Sequence, residues 1–76
     1  MNLIEFIAEV FSVEKNILKL DTMPGDFPEW DSLGHLNLLT SLEEKFNISF
    51  DMEETMSIQS INDLKDILSK KGIDCS

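Results

Sequence analysis

The sequence predicts an all-α fold: a small four-helix bundle with a short third helix and a long loop between helices one and two. Three observations predict it. Apolar residues recur at helical spacing in three stretches, Leu3 to Phe11, Leu33 to Phe46 and Ile61 to Leu68. Between them stand breakers such as Pro24, Gly25 and Pro28. The intervening loops hold few strand signals, and neither repeats nor low-complexity tracts interrupt the pattern.

The first helix is expected over Asn2 to Phe11, with Leu3, Phe6, Ile7, Val10 and Phe11 on one side and Glu5 and Glu9 on the other. Asn2 can cap it, with Glu5 three residues later. From Ser12 to Asp31 runs a long connection that holds Ile17, Leu18, Leu20, Met23, Phe27 and Trp30 among turn residues. Loops of this length are usually functional or anchored, and these side chains point to anchoring against the helices. A short helical turn near Glu14 to Leu18 also fits.

The second helix is expected over Ser32 to Asn47. Leu38, Leu42 and Phe46 form a core-facing stripe, joined by His35 and Leu39. That leaves Leu33, Leu36 and Thr40 on an adjoining stripe the core need not cover. Ile48 and Phe50 read as core anchors in the next loop. Asp51 and Glu54 form a capping-box pattern for a short third helix over Met52 to Ser57, and Ser60 with Asp63 forms another. The latter opens a last helix through Ile61, Leu64, Ile67 and Leu68. Lys70 and Lys71 suit its C-terminal dipole, and Gly72 ends it.

Residues 1–76 are expected to form one domain, which at this size buries only about 60% of its unfolded surface. A large enclosed catalytic pocket is not expected. At 42% hydrophobic residues, the chain is too apolar for a disordered acidic tail. Fifteen acids against six lysines and no arginine give a net charge of -9. This excludes nucleic acid as a partner, since a phosphate backbone is bound through Lys and Arg. Partners with basic surfaces are expected instead, steered electrostatically and weakened by salt. Self-repulsion costs stability, so salt or divalent cations should tighten the fold.

Cys75 is the only cysteine, so no intrachain disulfide can form, and its thiol is expected on a mobile tail without a role. A reducing cytoplasm fits. Met1 to Val10 lacks the basic start of a signal peptide. No apolar run approaches the roughly 20 residues that cross a bilayer. A soluble cytoplasmic monomer is expected.

The position that stands out is Ser32, at the start of the second helix. Either Asp31 or Ser32 can serve as the N-cap, accepting from an unpaired N–H of the first turn. Many Asp-Ser pairs before helices need no other explanation. A helix start, however, also carries partial positive charge and free donors that favour an attached phosphate. Beside the serine stands Leu33, which a soluble monomer gains little by exposing.

The run Glu29-Trp30-Asp31-Ser32-Leu33-Gly34-His35-Leu36, followed by Leu39, Leu42, Glu43, Glu44 and Phe46, resembles an acyl carrier protein over nearly the whole chain. The resemblance implies that Ser32 receives 4'-phosphopantetheine from coenzyme A, and that the terminal thiol of this arm carries an acyl group as a thioester. It implies a non-catalytic carrier, modified by a separate phosphopantetheinyl transferase, since a serine hydroxyl is a poor nucleophile without a base. Other implied partners are an acyl- or aminoacyl-loading enzyme and downstream synthases or transferases with basic docking surfaces. Asp31 is expected both to cap the helix and to meet the transferase. Glu43 and Glu44 match the family's acidic patch; their position against the helix dipole gains nothing locally, although a charge pair is ordinarily just solvated. Leu33 and Leu36 match its apolar partner contacts. Asn37 and Thr40 fall on the same partner face, but family members often carry an acid at positions 34 and 37, where this chain has Gly34 and Asn37, and a methionine in place of Thr40. These departures leave the cargo open, whether fatty acyl groups or aminoacyl and other specialised ones. An unmodified acidic adaptor that binds partner helices through Leu33 and Leu36 is the alternative from another class.

Other chemistries find little support. His35 lies one turn after Ser32, yet a hydrolytic pair also needs oxyanion donors and a cleft, which the sequence does not suggest. Asp21, Asp26, Glu29 and Asp31 do not match an EF-hand loop, and weak nonspecific cation binding is the most they imply. There is no Cys/His zinc spacing and no phosphate-binding glycine loop.

Overall fold

A computed structural model describes residues 2–75. Four helices follow one another: α1 (Leu3–Phe11), α2 (Ser32–Phe46), α3 (Met52–Ser57) and α4 (Ile61–Lys70), with a 3-10 turn over Lys15–Ile17 inside the long loop. The expected order, the short third helix and the turn near Glu14 to Leu18 are all present.

Each helix start is capped by the side chain before it. Asn2 accepts from the Glu5 N–H, Asp31 from Gly34, Asp51 from Glu54 and Ser60 from Asp63. Such bonds satisfy donors that the first turn cannot pair internally. At Asp51 the capping box is complete, with the Glu54 carboxylate accepting the Asp51 N–H at 3.1 Å. At Ser60 only half of it forms. The Asp63 carboxylate passes over Ser60 and accepts from the Gln59 N–H at 3.0 Å.

The ends of α1, α2 and α4 share one device. A left-handed residue follows the last turn, Ser12 at φ 56°, Asn47 at φ 54° and Gly72 at φ 88°. The next N–H then reaches back: Val13 to the Ala8 carbonyl, Ile48 to Glu43 and Ile73 to Leu68. Val13, Ile48 and Ile73 all pack on the core, which is the apolar contact that accompanies this type of helix end. Asn47, expected as the last residue of α2, is therefore its stop.

The core joins Leu3, Ile7, Ala8 and Phe11 of α1, Leu38, Leu39 and Leu42 of α2, and Ile61, Leu64 and Leu68 of α4, with Leu18, Trp30 and Ile58 closing it. Phe6, Val10 and Phe46 are only half-buried. Lys45 accounts for two of them, its ammonium lying over the rings of Phe6 and Phe46 at 5.8 and 5.7 Å. The long loop is anchored unevenly. Leu18 and Trp30 are buried and Phe27 half-buried, whereas Ile17, Leu20 and Met23 are about half exposed. Backbone bonds make up the difference, because the Thr22 and Leu20 carbonyls accept the Ile61 and Asn62 N–H groups at the start of α4. Cys75 is a second correction: it is 8% exposed and part of the core. The C-terminal segment folds back after Gly72, and burial pushes the Cys75 thiol above its ordinary value. Lys71 also departs from its expected place on the dipole. Its ammonium reaches Glu54 at 3.0 Å and the Ser49 carbonyl at 2.9 Å, tying α4 to α3.

Among the described residues, no helix is long and apolar enough to cross a membrane.

Candidate functional site

The start of α2 settles which residue caps it. Asp31 has extended backbone angles, and its Oδ1 accepts the Gly34 N–H at 2.7 Å. Ser32 is thus the first helical residue, exposed, and its hydroxyl makes no hydrogen bond among the described residues. The entry of the chain into this helix is tight. A Cβ at Gly34 would fall inside the Glu29 carbonyl oxygen and 3.0 Å from Phe11 Cε1, so the loop can pass this close only over a glycine.

Beside Ser32 opens a groove of about 570 Å³, largely apolar. Pro24, Gly25 and Trp30 of the loop form one side, Ser32, His35 and Leu36 of α2 another, and Thr55, Met56 and Ile58 the third. Asp31 stands at its edge and is the one carboxylate that lines it. His35 binds the three sides together: its Nδ1 accepts from Trp30 Nε1 at 3.0 Å, and its Nε2 lies 3.1 Å from the Thr55 carbonyl. With both ring nitrogens engaged away from Ser32, the imidazole is not placed as a base for that hydroxyl. Among the described residues no group of three or more His, Cys, Asp or Glu side chains could hold a metal ion.

The other residues singled out in the sequence divide around α2. Leu33 is 78% exposed and Leu36 54% exposed, as the adjoining stripe predicts. They do not share one depression: Leu36 joins Ser32 on the groove, whereas Leu33 and Asn37 border a neighbouring one with Val10, Phe11 and Glu29. Thr40 and Glu44 are exposed further along the helix. Glu43 is half-buried, and its Oε2 accepts the Phe50 N–H at 2.8 Å. This carboxylate therefore fixes the loop after α2, a local role that the dipole argument missed. Sequence reasoning also missed Met52 and Met56, which are 76% and 73% exposed on α3. Their spacing of four, with no buried neighbour within the helix, was the available signal.

No family model matches the chain. An acyl carrier protein homolog of Mycoplasma genitalium is 43% identical over 47 residues, covering 57% of this chain; the match spans just over half of that protein's length, at 56%. An acyl carrier protein of Syntrophobacter fumaroxidans is 30% identical over 70 residues, covering 92% of this chain and 86% of that protein. The solution structure of the holo acyl carrier protein from Geobacter metallireducens superposes with a TM-score of 0.81 at 35% identity, covering 91% of this chain and 79% of that one. The helix order, the free serine at the start of α2 and the two likenesses that span most of the chain lead to one conclusion: the chain belongs to the acyl carrier protein family.

Proposed function

We propose that this chain carries acyl intermediates as thioesters on a 4'-phosphopantetheine arm joined to Ser32, and delivers them to successive partner enzymes in fatty acid or specialised biosynthesis. The observation that carries the reading is the free Ser32 hydroxyl at the first position of α2, relieved of capping by Asp31. The residues fit such a group. A phosphodiester on Ser32 would lie at the positively polarised start of a fifteen-residue helix, and an apolar groove opens alongside it. The arm supplies a thiol that holds the cargo as a reactive thioester.

The chain's own residues present and steer. Asp31 holds the first turn of α2 so that the Ser32 hydroxyl faces outward, where a transferase brings its own base. Leu33, Leu36, Asn37, Thr40 and Glu44 offer partners an exposed face with few charges near Ser32 and an acid further along. Gly34 and Asn37, where relatives often carry acids, leave the cargo and its partner enzymes open. Tethering makes each encounter of cargo with enzyme local, at raised effective concentration, while weak salt-sensitive docking permits release.

The test is incubation with coenzyme A and a broad-specificity phosphopantetheinyl transferase, read by intact mass. Wild type should gain one phosphopantetheine group and Ser32→Ala none. No gain on wild type, or equal gain on the variant, refutes the reading.

A further inference from the structure

α3 is held unlike the other helices. It has six residues and none of them is buried, and so short a helix does not persist in water unaided. Its attachments are polar: the capping box at Asp51, the Lys71 ammonium on Glu54, and His35 at its far end. The Thr55 carbonyl lies in the last turn of α3, where no intrahelical N–H remains to pair it. His35 Nε2 supplies that hydrogen from α2, at 3.1 Å.

The other ring nitrogen fixes the tautomer. An indole N–H donates and cannot accept, so His35 Nδ1, 3.0 Å from Trp30 Nε1, must be bare. The proton then sits on Nε2, where the Thr55 carbonyl needs it. The two bonds can be made together only in this neutral Nε2–H form. The two rings are also stacked, 22° apart with centroids at 6.2 Å, and Trp30 is fully buried.

We propose that His35 is a positioning residue for the carrier: as the neutral Nε2–H tautomer it ties the Trp30 loop and α3 to the turn of α2 that bears Ser32. In doing so it fixes the opening of the groove beside that serine. A proton added to Nδ1 would oppose the indole N–H, so the Trp30 bond cannot survive in the imidazolium form. Asp31 is the only other titratable side chain lining the groove, and its Oδ1 is engaged by the Gly34 N–H. From the loop and from α3, the groups bonded to the ring are neutral, an indole and a backbone carbonyl.

The test follows amide exchange of α3 and the Trp30 indole N–H signal by NMR at pH 7.5, in wild type, His35→Gln, His35→Ala and Trp30→Phe. Glutamine offers one acceptor and one donor, as the neutral imidazole does. Corrected for intrinsic rates, α3 of His35→Ala should be about fivefold less protected than in wild type, the weight of one net hydrogen bond, and the Trp30 indole N–H should exchange faster. His35→Gln should keep the wild-type protection of both. Trp30→Phe removes the donor that holds the tautomer and should lower the protection of α3 as well. Wild-type protection of α3 in His35→Ala or in Trp30→Phe overturns the proposal. Its functional half rests on the carrier reading: transfer of phosphopantetheine to Ser32 should slow about fivefold in His35→Ala and recover in His35→Gln, and equal rates in all three overturn it. Should wild type accept no group at all, the carrier reading fails, while exchange of α3 still decides the linkage.

Discussion

Gly34→Ala separates two opposite expectations. On an ordinary helix surface, replacing glycine with alanine stabilises by about 1 kcal/mol, because glycine loses more backbone freedom on folding. Here the added methyl meets the Glu29 carbonyl oxygen, which is backbone, and stands 3.0 Å from the Phe11 ring. A carbonyl cannot rotate away as a flexible side chain can. Relief requires moving residues 29 to 31, and with them the Asp31 cap on α2 and the Trp30 anchor in the core. Overpacking of this kind costs about 1–3 kcal/mol, and partial loss of the cap adds about 1 kcal/mol. The balance after the propensity gain is a net loss of about 1–3 kcal/mol. For a domain of this size each kcal/mol lowers Tm by roughly 4–8 °C, so urea and thermal unfolding both resolve it. A Gly34→Ala protein as stable as wild type, or more so, would refute the close approach of the loop to α2.

Two further perturbations address charge. The Asp51 backbone N–H, and after it the Lys71 ammonium, hold the Glu54 carboxyl below the usual glutamate value. A carboxyl lowered by folding stabilises fully above its unfolded value, and that contribution is lost as pH falls through the folded value; Glu54→Gln should therefore flatten the acid side of the stability profile between pH 6 and 3, measured by urea midpoint. Glu44→Lys should weaken binding to the transferase most at low salt with no loss of stability, whereas Glu43→Lys should also destabilise by about 1–3 kcal/mol through the orphaned Phe50 N–H. Titration calorimetry at two salt concentrations and urea unfolding check the pair, and unchanged binding in both variants would mean that neither acid takes part in docking.

Periodicity and capping made the helices legible. Asn2, Asp31, Asp51 and Ser60 each precede an apolar helical pattern, and each caps a helix. The helix ends were harder to read. Gly72 announces its left-handed turn, but Ser12 adopts the same conformation without a glycine's freedom, sustained by Val13 packing on the core. Asn47 followed by Ile48 carried the same signal and was read as helix. The serine at the start of α2 was visible through its place in the pattern. The groove beside it was not, because it depends on the distant segment Thr55 to Ile58 meeting the loop and α2 around His35. Spacing placed His35 near the core but could not disclose that its two nitrogens join Trp30, five residues before it, to Thr55, twenty after it. Cys75 was misjudged for the same reason, since nearness to a terminus says nothing about what the chain folds back onto.

The division of labour between Asp31 and Ser32 bears on thermodynamic linkage. The cap that stabilises α2 is a carboxylate, and the adjacent hydroxyl contributes no bond to the folded state. A group joined to Ser32 would therefore displace no capping hydrogen bond. Had the serine been the cap, every modification would have cost the helix about 1 kcal/mol, and occupancy of the site would have drifted with stability. On the carrier reading, loading and unloading Ser32 would leave the Asp31 cap of α2 in place throughout.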